Sequence, residues 1–409
     1  MADRRVAVTG MGIISALGLN LEENWASLEA GRPGIGPISL ADVSSLKFQN
    51  GAEVRDYKQD DHFQSNQADF WDRFAQFALV AAREAVCRTG LSEGRQKLSP
   101  GLSERVAVIT GSCVGGQSTE DIGFVDVYKK GGNRVHPLTI PKTMANAGAS
   151  CIAMEFGIRG PAYTISTACS SANHAIGQAL WMVRQGMVDV AITGGSEAPF
   201  SFGILKAWEA MRVVSPETCR PFSRDRKGMV LGEGAGMLVL EPMEAARARG
   251  ATIYGELVGF GMSSDAEHIT KPSAEGAALA MRNAMRDAGI VPEAVGYVNA
   301  HGTGTPVNDP TETQAIRLAL GAHANKVAVS STKSMHGHGL GAAGALEAVA
   351  TLLALGHNVL PPTANYNEPD PECDLDVIPN CARRAEVEYA LSNSFAFGGL
   401  NAVLAFRKA

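Results

Sequence analysis

The sequence predicts an α/β fold with sheets covered on both faces. Strand-like apolar runs alternate with helical stretches along the whole 409-residue chain, and the order of these runs repeats. Glycine pairs at Gly115-Gly116, Gly194-Gly195 and Gly398-Gly399 add tight turns and close backbone approaches at strand ends.

The elements follow in order. "RVAVTG", "RVAVITGS", "VDVAITGG", "GMLVLE", "VGYVNAHG", "KVAVSSTK" and "NAVLAF" read as strands. "NWASLEAG", "FAQFALVAAREAVCRTG" and "AALAMRNAMRDAGI" read as helices ended by glycine. Three segments then echo three others. "RVAVITGSCVGG" matches "VGYVNAHGTGTP", "AYTISTACSSANHAIGQAL" matches "VAVSSTKSMHGHGLGAAGALEAV", and "VDVAITGGSEAPF" matches "VEYALSNSFAFGG". The chain therefore reads as a duplication, residues 1–250 and 251–409, packed as one body. No Pro/Ser-rich linker divides the halves.

Composition narrows the function classes. Hydrophobic residues make up 45% and charged residues 19%, the balance of a globular enzyme. A net charge of -6 argues against nucleic-acid binding. No run of apolar residues reaches membrane-spanning length, and the opening "MADRRVAVTG" enters a strand with no apolar leader, which points to the cytoplasm. The seven cysteines are scattered without a Cys-x-x-Cys pair, so neither a disulfide framework nor a structural zinc site is expected.

The chemical candidates sit at strand ends. Cys169 lies among small residues in "STACSSANHA", where a strand runs into a helix. Free N–H groups at a helix start favour a thiolate, whereas a packed core cysteine would be inert. The local residues leave both readings open. His301 stands in "NAHGTGTPVND", with Gly302 and Gly304 leaving the ring accessible and Thr303 and Thr305 offering hydroxyls on one side of an extended segment. In "STKSMHGHGLGAAGALEA", His336 and His338 form a His-x-His pair, but no acidic or cysteine ligand lies nearby to complete a metal site. His338 is expected to open a helix of small residues, about two and a half turns of which lead to Glu347. That carboxylate needs a partner such as Lys333. "TGMGIISALG" and "LGEGAG" lack the spacing of a dinucleotide fingerprint and read as sheet turns. Phe397, beside Gly398-Gly399, is either core or a gate.

The order Cys…His…Lys…His, in "TACSSA", "NAHGTGTPVND", "STKSMHGHGLGAAGALEA" and "NSFAFGGLNA", resembles the condensing enzymes of fatty-acid and polyketide synthesis. With "PFSRDRKGMVLGEGAGMLVLE" and "VGFGMSSDAEHIT", the resemblance covers essentially the whole chain. It is to the elongating β-ketoacyl-acyl carrier protein synthases of type II, while "SSANHAI", "LKAWEAMR" and "PPTANYNEPDPECDLDV" resemble the nodulation-type ketosynthases.

The resemblance implies a thiolase-like fold, five-layered α-β-α-β-α, and a homodimer. It implies decarboxylative condensation of an acyl chain with malonyl-acyl carrier protein (ACP), with no metal or organic cofactor. Cys169 resembles the nucleophile, and His301 and His338 the pair that binds the malonyl thioester. Lys333 resembles the lysine that orders the site, with Glu347 as its support. Cys169 and Phe397 resemble the oxyanion hole, Phe397 also the gate, Thr303 and Thr305 the pantetheine contacts, and Val114 the acyl-pocket wall.

The chain departs from the family pattern at Ala396 and Leu400 in the last loop, at His336 and at Gly339. The stretch "FQSNQADFWDRFAQF", where basic residues would face the carrier, holds only Arg73, which shifts docking to Lys129, Lys130, Arg134 or Lys206, or points to a different carrier. Competing functions fit less well. A degradative thiolase would place a second cysteine in the last loop, a starter-unit enzyme would have Asn in place of His338, and a non-catalytic chain-length partner would lack Cys169.

Overall fold

A computed structural model describes residues 4–64, 67–92 and 96–409. Ser65 and Asn66 of the "FQSNQADFWDRFAQF" stretch lie outside the described residues.

Ten strands form one hydrogen-bonded sheet. In chain order they are β1 (Val6–Ser15), β2 (Val106–Gly111), β3 (Ala162–Ile165), β4 (Val190–Glu197), β5 (Gly234–Pro242), β6 (Gly255–Ser264), β7 (Val295–Asn299), β8 (Ala328–Ser330), β9 (Tyr389–Ala396) and β10 (Leu400–Arg407). Their spatial order is β8-β7-β9-β10-β6-β1-β5-β4-β2-β3. The first five and the last five strands thus follow one plan, third-second-fourth-fifth-first within each half. Directions match as well. The second strand of each half pairs parallel with the third and fourth, while the fourth–fifth and fifth–first pairs are antiparallel. The three sequence echoes occupy the second, third and fourth strands of each half.

The halves join where β1 meets β6, over the pairs Ala7–Glu256 and Val8–Gly255. So short a ladder lets the sheet fold on itself, and two strand layers stand where the layer plan requires them. Helix α1 (Leu21–Glu29) covers β1; α2 (Arg73–Thr89) packs on β1, β4 and β5. Beyond α3 (Gln117–Phe124), α4 (Ala147–Phe156) packs on α2, β2 and β3. The middle layer is α5 (Ser171–Arg184) with α9 (Ala343–His357), each touching strands of both halves. After α6 (Phe202–Met211), α7 (Ala274–Ala288) and α8 (Asn308–Leu320) cover the outer face of the second half.

The 3₁₀ turn and helix over Leu340–His357 have a mean hydropathy of 1.4, enough by length and composition for a membrane span. The segment is instead 89% buried, because a helix between two sheets has no polar face to present. Glycine ends α2 and α7 as the sequence predicts: Gly90 (φ 71°) and Gly289 (φ 65°) take the left-handed conformation that removes the Cβ penalty.

Candidate active site

The parallel strands deliver the candidate residues at their C-terminal ends. Cys169 follows β3, His301 follows β7, Lys333 follows β8 and Phe397 follows β9, all ends where an α/β sheet opens a crevice.

Cys169 sits two residues before α5, not within its first turn. Hydroxyls lock the approach. Ser171 Oγ donates to the Ala168 carbonyl (2.6 Å) and accepts from Thr167 N–H (2.9 Å), while Ser170 Oγ donates to the Thr167 carbonyl (2.8 Å). Ala168 is held at φ 51°, a strained value for a residue with a Cβ. The small residues after Cys169 serve packing. A Cβ on Gly111 would lie 2.4 Å from Ala172 N, and one on Gly195 2.8 Å from Ala172 Cβ.

Burial pushes the Cys169 thiol up to about 12, opposed chiefly by the positive charge of Lys333. Cys151, Cys219 and Cys373 are raised by burial to a similar value. What singles out Cys169 is that it lines a cavity.

That cavity, about 390 Å³, is lined by Cys169, His301, His338, Thr303, Thr305 and Phe397 together with apolar side chains that include Trp208 and Met211. A larger open depression of about 680 Å³ around Arg5, Arg247 and Glu388 holds no cysteine or histidine. The smaller cavity is therefore where the chemistry gathers.

His301 and Gly302 donate their N–H groups to the two oxygens of Glu312 (2.8 and 2.6 Å), and Gly304 donates to Asp309 Oδ1 (3.1 Å). Thr303 and Thr305 share a hydroxyl–hydroxyl bond of 2.9 Å. The His301 and His338 rings stand edge to face, 5.4 Å apart. His338 is pinned to the 230–232 segment, its N–H donating to Val230 O (2.6 Å) and its carbonyl accepting from Gly232 N–H (2.9 Å). Its Nδ1 accepts from Leu340 N–H (3.1 Å), so the ring proton resides on Nε2. Burial and the Lys333 charge hold both rings well below the usual histidine range, and therefore neutral.

Lys333 and Glu347 form a fully buried ion pair. Burial raises Glu347 to about 7, against the pull of Lys333. Neither lines the cavity; Lys333 acts on Cys169 and both histidines through its field. Glu347 lies just over one turn into α9. The helix opens at Ala343 after a 3₁₀ turn over Leu340–Ala342, not at His338 as its sequence suggests. Phe397 stacks on Trp208 (6.2 Å, 26°) in a turn closed by Gly398 (φ 84°) and Gly399 (φ 70°). Gly398 N–H donates to Ile269 O (2.7 Å) and Asp265 N–H to Gly399 O (2.9 Å), tying this turn to the 265–269 loop.

Val114 does not line the cavity; it packs with Phe200, Leu205 and Leu340. Arg73 is turned inward, paired with Glu233 (2.7 Å) and set over the Phe77 ring. Among the described residues, no group of three or more His, Cys, Asp or Glu side chains is arranged to hold a metal ion.

The sequence did not single out Glu197. Its oxygens accept from the N–H groups of Cys113 (2.8 Å), Val114 (3.2 Å), Gly115 (3.3 Å) and Gly341 (2.9 Å) and from Ser112 Oγ (2.7 Å), binding the loop after β2 to the turn after His338. Nor do Glu312, Asp309 and Trp208 stand out in the sequence. The acid pair three residues apart at the start of α8, directly after a histidine loop, is the signal that was available.

A folded-over duplication that holds one thiol and two neutral imidazoles in a single crevice, with the charge of a buried lysine reaching all three, defines the condensing class of acyltransferases. The chain belongs to the β-ketoacyl synthase family: residues 3–246 match the N-terminal domain of the beta-ketoacyl synthases and 254–367 the C-terminal domain. It is 48% identical to nodulation protein E of Rhizobium sp. (strain N33), over 99% of this chain and all of that one. Its identity to 3-oxoacyl-[acyl-carrier-protein] synthase 2 of Synechocystis sp. is 42%, over 99% of this chain and 98% of that one. Among solved structures, the ishigamide ketosynthase/chain length factor superposes over the full length of both chains with a TM-score of 0.94 at 39% identity. A β-ketoacyl synthase from Burkholderia phymatum gives 0.91 at 34%, over 99% and 100% of the two chains. The fold is thiolase-like and the protein is a condensing enzyme of the synthase II type with nodulation-like features.

Proposed function

We propose that Cys169 accepts the acyl chain from acyl-ACP and that His301 and His338 drive its condensation with malonyl-ACP. In the first step the Cys169 sulfur attacks the acyl thioester. The carrier's thiol leaves with the cysteine proton, and the Lys333 ammonium favours the developing thiolate. In the second, malonyl-ACP loses CO2, and the freed electron pair becomes an enolate that attacks the acyl carbonyl and expels the Cys169 thiolate. The Nε2–H of His338 donates to the thioester oxygen as its charge develops. One such donor in a dry site is worth about 3 kcal/mol. The N–H groups of Cys169 and Phe397 serve as the oxyanion hole, Phe397 also as the gate. Thr303 and Thr305 hold the pantetheine arm, and the acyl chain runs toward Val114. Glu347 supports Lys333. The division of labour assigns the nucleophile to residues 1–250 and the histidines and lysine to 251–409. The carrier brings both substrates, and no metal or organic cofactor takes part.

The observation that carries this reading is the 390 Å³ cavity shared by one cysteine and two neutral imidazoles. Lys206 is exposed on α6, whose Trp208 and Met211 line the cavity, and favours docking of an acidic carrier there; Lys129, Lys130 and Arg134 are exposed earlier in the chain. A solved ketosynthase 31% identical to this chain is in complex with its type II acyl-carrier protein. A homodimer fits the open edge of β3, with Tyr163 exposed, and the apolar Ile122, Phe124, Tyr128 and Ile140 left in solvent.

Fatty-acid elongation is the first reading of the pathway. Ala396, Leu400 and the nodulation-like segments favour a second, a specialised polyketide-, aryl-polyene- or nodulation-type route. A chain-length partner subunit is disfavoured by the presence of Cys169. The test is a condensation assay with malonyl-ACP and acyl-ACPs of graded length. β-Ketoacyl-ACP and CO2 in equal amounts are expected, with no β-ketoacyl-ACP from Cys169→Ala; acyl-ACP hydrolysis without condensation would overturn the reading.

A further inference from the structure

We infer that His336 is a positioning residue for His338: its ring clamps the Gly337 carbonyl and so fixes the peptide that carries His338 into the cavity. The inference rests on the role proposed above for His338.

His336 is buried and does not line the cavity. Its two ring nitrogens are both engaged: Nδ1 lies 2.8 Å from Gly337 O, and Nε2 lies 2.9 Å from Thr332 Oγ1. A carbonyl only accepts, so Nδ1 carries the proton. The buried ring is neutral, so Nε2 accepts from the Thr332 hydroxyl. One imidazole thus ties the start of the turn bearing Lys333 to the peptide bearing His338.

That peptide needs a clamp. Gly337 has φ 69°, and glycine by itself favours no single conformation. It cannot be exchanged for a stiffer residue, because a Cβ there would lie 2.8 Å from Ala52 Cβ and 3.0 Å from Leu231 O. The far side of His338 is already fixed by its bridge to Leu231. The N–H end of the Gly337–His338 peptide is anchored on Val230 O (2.6 Å), which leaves a tilt of its carbonyl end about that anchor, and such a tilt would swing Nε2–H of His338 across the cavity. The hydrogen bond from His336 to the Gly337 carbonyl holds that second end of the peptide and stops the tilt.

The test separates a clamp from a space filler. Asparagine places its amide nitrogen near the Nδ1 position, whereas glutamine places it near Nε2. CO2 release from malonyl-ACP and single-turnover acylation of Cys169 are measured for His336→Asn, His336→Gln and His336→Ala. Decarboxylation is expected within about threefold of wild type for Asn and at least about tenfold lower for Gln and Ala, since small misplacements of a catalytic group cost rate steeply. Acylation is expected to change less than about twofold, because the enolate forms only in the second step. Equal loss of both half-reactions, an Asn variant no better than Gln, or an unaffected Ala variant would overturn the inference. If the Ala variant does not fold, the Asn–Gln contrast decides. His338→Ala runs alongside: retained decarboxylation there refutes the role of His338 itself, whereas its loss beside an unaffected His336→Ala refutes the clamp alone.

Discussion

Cys169 is a resting thiol, not a preformed thiolate. Its raised pKa follows from burial, and the nearby ammonium of Lys333 only moderates it. Below a pKa of about 12 the thiolate fraction rises tenfold per pH unit. Inactivation by iodoacetamide should therefore keep climbing steeply from pH 6 to 9, in step with modification of Cys169. A plateau beginning below pH 8 would show a depressed pKa and contradict this account. Labelling of the exposed Cys87 and Cys381 is expected as well, without loss of activity. Cys169, His301 and His338 were legible in the sequence because glycine and other small residues flank each one. Glu197 was not: its donors come from Cys113 and Gly341, distant in the chain, and a lone carboxylate gives no local sign that backbone N–H groups will converge on it.

At the scale of elements, α5 and α9 cross so closely that glycine is needed at the contact. A Cβ on Gly344 would lie 2.2 Å from Asn173 Oδ1 and 3.0 Å from Ser394 Oγ. Asn173 cannot swing away freely, since its Nδ2 donates to Ser392 O (3.2 Å) and Ala402 O (3.1 Å). Gly344→Ala should cost about 1–3 kcal/mol, the usual range for overpacking, read as a lower urea midpoint at unchanged slope. An unchanged midpoint would mean the two helices can separate. Long strands such as β5 announced themselves through apolar runs. β6 did not, because Gly259 and Gly261 interrupt the run where its backbone meets Ala284 and Ala280 of α7. The start of α9 is not legible in the sequence, because the small residues after His338 suit a 3₁₀ turn as well as a helix.

Across the whole molecule, the duplication explains why the site exists. The same strand plan appears twice, so the loops after the second, third and fourth strands of each half converge from two sides. The first half supplies Cys169, and the second supplies His301, Lys333, His338 and Phe397. The echo in the sequence revealed this plan, but not the narrow β1–β6 ladder that joins the halves into one sheet, since that pairing depends on how the layers close. The most direct test of the account is peptide-level mass spectrometry after incubation with acyl-ACP in the absence of malonyl-ACP. The account predicts one acyl adduct per chain, on Cys169, that is discharged on adding malonyl-ACP to wild type and persists in His338→Ala. An adduct on any other residue, or discharge by His338→Ala at the wild-type rate, would contradict it.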